Sequence, residues 1–164
     1  MNNETDLLMA ALLFEEGDPR GTQHLLSVLA LTGLHCRCAG RSLEDEQQLA
    51  AAAVLRDLTE LLSGEEGGEA GPESLRPQTQ ELARYFLRQA RYAPSYEEEI
   101  LRLALARPRC GETADPRLGL LMEARILASC LESGQSPPDA ARSMRSRCGK
   151  RLMKSIINTK ESAR

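Results

Sequence analysis

The chain has 164 residues and a net charge of −3, with 41% hydrophobic, 27% charged and 3% aromatic residues and no Trp. That length supports one domain with a real core, and the apolar-to-charged balance is that of a globular chain rather than a disordered one. The scarcity of aromatics argues against β-sandwiches and base-stacking surfaces, and no apolar run approaches the roughly 20 residues that span a bilayer.

Ala, Leu, Arg and Glu dominate, which favours helix, and the chain reads as helices separated by turn residues. Asp6 to Glu16 forms a first short helix that stops at Gly17-Asp18-Pro19. A second runs from about Arg20 to Cys38, with Leu25, Val28, Leu29, Thr32 and Cys36 near one stripe and Gly40 as its end. Ser42 with Asp45 or Glu46 has the form of a helix N-cap and opens a third helix, Leu43 to Leu62. Residues 63–75 are acidic and glycine-rich, a solvent loop within the domain. The fourth helix spans Pro77 to Arg91, with Leu82, Tyr85, Phe86 and Gln89 at helical spacing. Ser95 and Glu98 suggest another capping box, opening Tyr96 to Arg107 ahead of Pro108. Asp115-Pro116 opens a strongly apolar sixth helix to Glu132, which Gly134 ends. Ser136-Pro137 starts a seventh, and Gly149 separates an eighth, Lys150 to about Asn158. No period-2 alternation bounded by hairpin turns appears. The expectation is an all-α single domain over residues 1–164, a bundle of about seven to eight helices, with 160–164 as a disordered tail.

Five cysteines, Cys36, Cys38, Cys110, Cys130 and Cys148, are odd in number and scattered, which argues against a disulfide framework. With no basic, apolar leader at the N-terminus, a cytoplasmic location is expected. A metal site on His35, Cys36 and Cys38 is disfavoured, because one helix points the two thiols in different directions and no second pair completes the set. Cys110 and Cys130 have no base beside them in sequence, so nucleophilic catalysis lacks support. Acids outnumber bases before Leu75, whereas Arg142, Arg145, Arg147, Lys150, Arg151, Lys154, Lys160 and Arg164 make the C-terminal part basic. Without interleaved aromatics this reads as a solvated helix face, and nucleic acid is not the expected partner.

The most informative stretch is AAAVLRDLTELL, Ala51 to Leu62, because it places the charged pair Arg56–Asp57 near the end of an apolar helix. Buried charge is costly, so such groups face a partner, a metal or a cavity. His24 sits in the preceding apolar helix, where it is either a core imidazole bonded to Asp57 or a retained ligand. Five segments, RGTQHLLSV, AAVLRDLTE, LARPRC, LLMEARILA and CGKRLMKSI, occur in order between Arg20 and Ile156. Together they resemble a bacterial branch of the HD-domain metal phosphohydrolases, with R-I-Q-H-x-x-x-V, A-A-x-L-H-D-I-G, G-H-H-H, L-V-E-A-D-F-L and G-K-R-L at comparable spacing.

The resemblance implies an HD-domain-like helical fold, and a metal site formed from the first His, the His-Asp pair and the later Asp. In that family the metal lowers the pKa of a bound water that attacks phosphorus. Carried over, the positions are His24, Arg56, Asp57 and Arg125, with Glu123 as a substitute if the last helix shifts in register. Two of the four are guanidinium groups, which have no lone pair to donate. The family's histidine run falls on Ala106, Arg107 and Pro108, and the glycine after the signature falls near Glu60. The expectation is a catalytically degenerate HD-domain protein that binds a ligand or partner, with no cofactor. Arg56 and Arg125 then either fill the metal's volume and neutralise Asp57 or, with Arg107, hold an anion such as a nucleotide phosphate, the remaining reading being that Arg56 points to solvent. The alternative is a metal-dependent phosphohydrolase with an altered site, in which His24 and Asp57 still bind a divalent metal. A homo-oligomer is compatible with either, and no membrane partner is expected.

Overall fold

Local signals set the ends of the helices. The computed structural model describes residues 8, 19–63, 77–106, 115–132 and 137–162. Within them are seven helices: α1 (Pro19–Cys38), α2 (Leu43–Ser63), α3 (Pro77–Gln89), α4 (Pro94–Leu105), α5 (Pro116–Leu131), α6 (Pro137–Ser143) and α7 (Arg147–Ser162). The described residues contain no strand, so the fold is all-α. No described helix is long and apolar enough to cross a membrane. The expected helix Asp6–Glu16, the acidic loop after Ser63, Cys110 and Gly134 lie outside the described residues.

Gly40, at φ 66°, closes α1 in the left-handed conformation that glycine adopts without strain. Its N–H donates to the Arg37 carbonyl at 3.2 Å, and that of Arg41 donates to Cys36 at 2.9 Å, the paired bonds of a Schellman end. Ser42 Oγ accepts from the Asp45 N–H at 3.1 Å and starts α2, as the sequence predicts. α3 ends the same way as α1, with Arg91 at φ 60° in the position a glycine would suit better. Asp115 caps α5 by accepting from the Arg117 N–H at 3.0 Å, with Pro116 at the first helical position.

Two helix starts differ from the sequence reading by more than one residue. α4 starts at Pro94 with Ala93 as its N-cap and no side-chain cap, so Ser95 and Glu98 do not form the expected box. The proline fixes the first helical φ two residues before the expected start at Tyr96. Gly149 does not separate two helices but lies inside α7, which begins at Arg147 and continues to Ser162, so residues 160–162 of the expected tail are helical.

The chain forms two compact units, each drawn from separate stretches: Met1–Leu25 with Gln47–Arg107, and Leu26–Glu46 with Pro108–Arg164. In the first, α3 lies against α4, and Leu25, Leu49, Ala52, Leu55, Ala83, Leu87, Ile100 and Leu103 are fully buried. Arg88 reaches the buried Glu97 at 3.3 Å, and Arg84 pairs with Glu98. Tyr85, at helical spacing with Leu82, Phe86 and Gln89 in the sequence, is 55% exposed, and the core side of that helix is Ala83, Phe86, Leu87 and Ala90. In the second unit α5 packs on both α6 and α7. Its core includes Val28, Cys36, Leu121, Leu127, Cys130 and Met153. α7 turns Met153 and Ile156 inward and leaves Arg147, Lys150, Arg151 and Lys154 exposed, a solvated basic face.

Candidate functional site

The residues assigned by the HD-like pattern divide between the units. His24, Arg56 and Asp57 belong to the first unit and Glu123 and Arg125 to the second. Arg107 lies outside the described residues. On α2, Ala51 to Leu55, Leu58 and Thr59 are buried while Arg56 and Asp57 are half-buried, so the helix presents the charged pair at the edge of its core. Arg56 Nη1–H donates to the Ala106 carbonyl oxygen, just past the end of α4, at 3.4 Å. The pattern assigns a metal ligand to Arg56 and a histidine to Ala106, and the fold brings these two positions together. A guanidinium with no lone pair does not fit a divalent metal there. Among the described residues, no three His, Cys, Asp or Glu side chains gather in a way that could hold a metal ion.

The second unit holds a buried polar cluster built from α1, α5 and the start of α7. His35 is 2% exposed and Glu123 5%. His35 Nε2 lies 3.2 Å from Glu123 Oε1. Since an ionised carboxylate only accepts, Nε2 is assigned the hydrogen. Glu123 Oε2 accepts from the backbone N–H groups of Arg145 at 3.1 Å and Ser146 at 3.3 Å. Ser146 is the N-cap of α7: its Oγ accepts from the Gly149 N–H at 2.8 Å and sits 3.2 Å from His35 Nε2. An anionic side chain is thus held at the positive end of α7, where the helix dipole and free N–H groups favour it. Burial pushes the Glu123 carboxyl up. Hydrogen bonds from the His35 and Ser146 side chains, the attraction of His35 and the Ser146 N–H outweigh it and hold the carboxyl below its usual value.

Ser, His and Glu in one cluster invite comparison with a hydrolytic triad, and the geometry excludes it. In a triad, the serine and the acid engage opposite ring nitrogens, so that the imidazole can take the hydroxyl proton. Here both lie on Nε2. Nδ1 is buried with no hydrogen-bond partner among the described residues. The cluster therefore ties the end of α1 and the start of α7 to the middle of α5 and does not activate Ser146.

A cavity of about 370 Å³ opens beside it, within the range of small-molecule sites. Leu120, Met122 and Ile126 supply apolar walls, and His35, Arg41, Arg145, Asp115 and Glu123 supply polar ones of both charges. Compared with protein-family models, curated protein sequences and solved structures, the chain matches none of them.

Sequence reasoning named Glu123 only as a substitute metal ligand, and it missed His35 and Ser146 as its partners. The signal lay in Ser146-Arg147-Cys148-Gly149, a serine N-cap whose third helical residue is a glycine.

Proposed function

We propose that the chain is a degenerate HD-domain-like helical protein that binds a small ligand or a partner instead of hydrolysing phosphoesters with a metal. The observation that carries this reading is the Arg56–Ala106 contact at 3.4 Å. It joins the position of the family's ligand histidine to one in its histidine run, which supplies auxiliary ligands or phosphate contacts, and fills the first with a permanently charged, non-ligating group. The cavity of the second unit supports the binding half of the proposal. Its apolar walls suit a compact ligand body, and Arg41 and Arg145 suit an anionic group such as a phosphate. His35 Nδ1, which has no hydrogen-bond partner among the described residues, is left for a polar group of a ligand.

The test is Arg56→His, which places a His-Asp pair at positions 56 and 57 in a chain that keeps His24. The variant is expected to bind manganese at least about tenfold more tightly than the wild type in calorimetric titration, the effect of adding one imidazole ligand. A folded variant that takes up no more metal than the wild type would sink the HD-like reading. The metal-dependent phosphohydrolase remains the second reading, on the strength of His24 and Asp57. Manganese-dependent turnover of a nucleotide phosphoester by the wild-type chain, lost in Asp57→Asn, would establish it instead.

A further inference from the structure

Four described cysteines are free thiols, and they fall into two kinds. Cys36 and Cys130 are buried. Burial, reinforced by the Glu46 and Asp45 carboxylates, pushes the Cys36 thiol up to about 11, and burial also raises that of Cys130. Such thiols react slowly. Cys38 is exposed and Cys148 half-exposed. Cys38 is the last residue of α1, three positions beyond His35, and Cys148 is the second residue of α7, two beyond Ser146. The His35–Ser146 contact at 3.2 Å holds these helix ends side by side, close enough that Cys38, together with burial, raises the Cys148 thiol above its ordinary value.

We propose that Cys38 and Cys148 are a redox-modification site, forming a reversible disulfide within the chain when a small disulfide of the oxidised-glutathione class is present. The exposed Cys38 thiolate attacks one sulfur of the reagent, whose S–S bond breaks. One small thiol leaves after taking up a proton, and a mixed disulfide remains on Cys38. The Cys148 thiolate then attacks the Cys38 sulfur and expels the second small thiol. Two protein thiols and one small disulfide become one protein disulfide and two small thiols. The bond ties the end of α1 to the first turn of α7, next to the Glu123 cluster, so oxidation locks the helix start that the cluster positions.

The experiment uses the full chain, reduced, then exposed to oxidised glutathione, alkylated and mapped by mass spectrometry without reduction. The expected result is one disulfide joining the peptides that carry Cys38 and Cys148, reversed by dithiothreitol, with the other cysteines alkylated. Cys148→Ser is expected to retain a glutathione adduct on Cys38, because the resolving thiol is gone. Both sites lie toward solvent, and matching melting temperatures of the reduced wild type and variant establish that the variant folds. Both thiols remaining alkylated in the wild type, or Cys38 or Cys148 pairing with Cys110 or with a second chain, would overturn the proposal.

Discussion

Replacing Glu123 with alanine is expected to lower the unfolding free energy by roughly 3–5 kcal/mol, a large share of the total for a chain of this size. The carboxylate is 5% exposed and accepts from His35 and from the backbone N–H groups of Arg145 and Ser146. Truncation leaves those donors without their acceptor in a place that water reaches poorly, and each orphaned group costs about 1–3 kcal/mol. Glu123→Gln keeps the shape and one acceptor but loses the charge, so an intermediate loss is expected. The sign of the pH dependence follows from the carboxyl being held below its ordinary value of 4.5. Its contribution is complete above that value and is lost as pH falls through the lower folded-state value. Urea unfolding at several pH values is the measurement. The wild type is expected to lose stability in acid more steeply than Glu123→Ala, and an alanine variant as stable as the wild type at neutral pH would remove the cluster from the account.

Gly149→Ala is expected to destabilise as well, by about 1–3 kcal/mol, against the usual direction for that change in a helix. Alanine is favoured over glycine in a helix interior by about 1 kcal/mol. At this position, however, a Cβ would overlap Glu123 Oε2 and stand 2.8 Å from its Cδ and 3.0 Å from Ser146 Oγ. The carboxylate is already fixed by several donors, so it yields only by giving up hydrogen bonds. The steric term therefore outweighs the propensity term. Thermal unfolding decides the sign, with Lys150→Ala, an exposed neighbour on the same turn, as the control expected to change little. A more stable Gly149→Ala would show that Glu123 does not occupy this space.

The helical class and several helix ends were legible because their causes are local. Gly40, Ser42 and Asp115-Pro116 act on backbone within a few residues, and the structure uses each as read. Ser95 with Glu98 was equally plausible as a cap, but Pro94 at the first helical position started α4 earlier. Gly149 was misread because a glycine in a helical pattern looks like a break, whereas here it makes room for a side chain from α5. The His35–Glu123 pair spans 88 residues and the Ser146–Glu123 contact 23, and no periodicity carries such information. Apolar spacing in GTQHLLSVLALTGLHCRC marks His35 as near the core but says nothing of its partner. The Arg56–Ala106 contact joins residues 50 apart and was not legible in the sequence.

The most direct test of the central claim is the metal content of the wild-type chain, purified without chelator and again after loading with manganese, zinc or iron(II). With Arg56 proposed to stand at a ligand position, the account predicts metal far below one ion per chain under every loading. Near-stoichiometric metal that is lost in both His24→Ala and Asp57→Ala would contradict it, and would make metal-dependent phosphoester hydrolysis the leading reading.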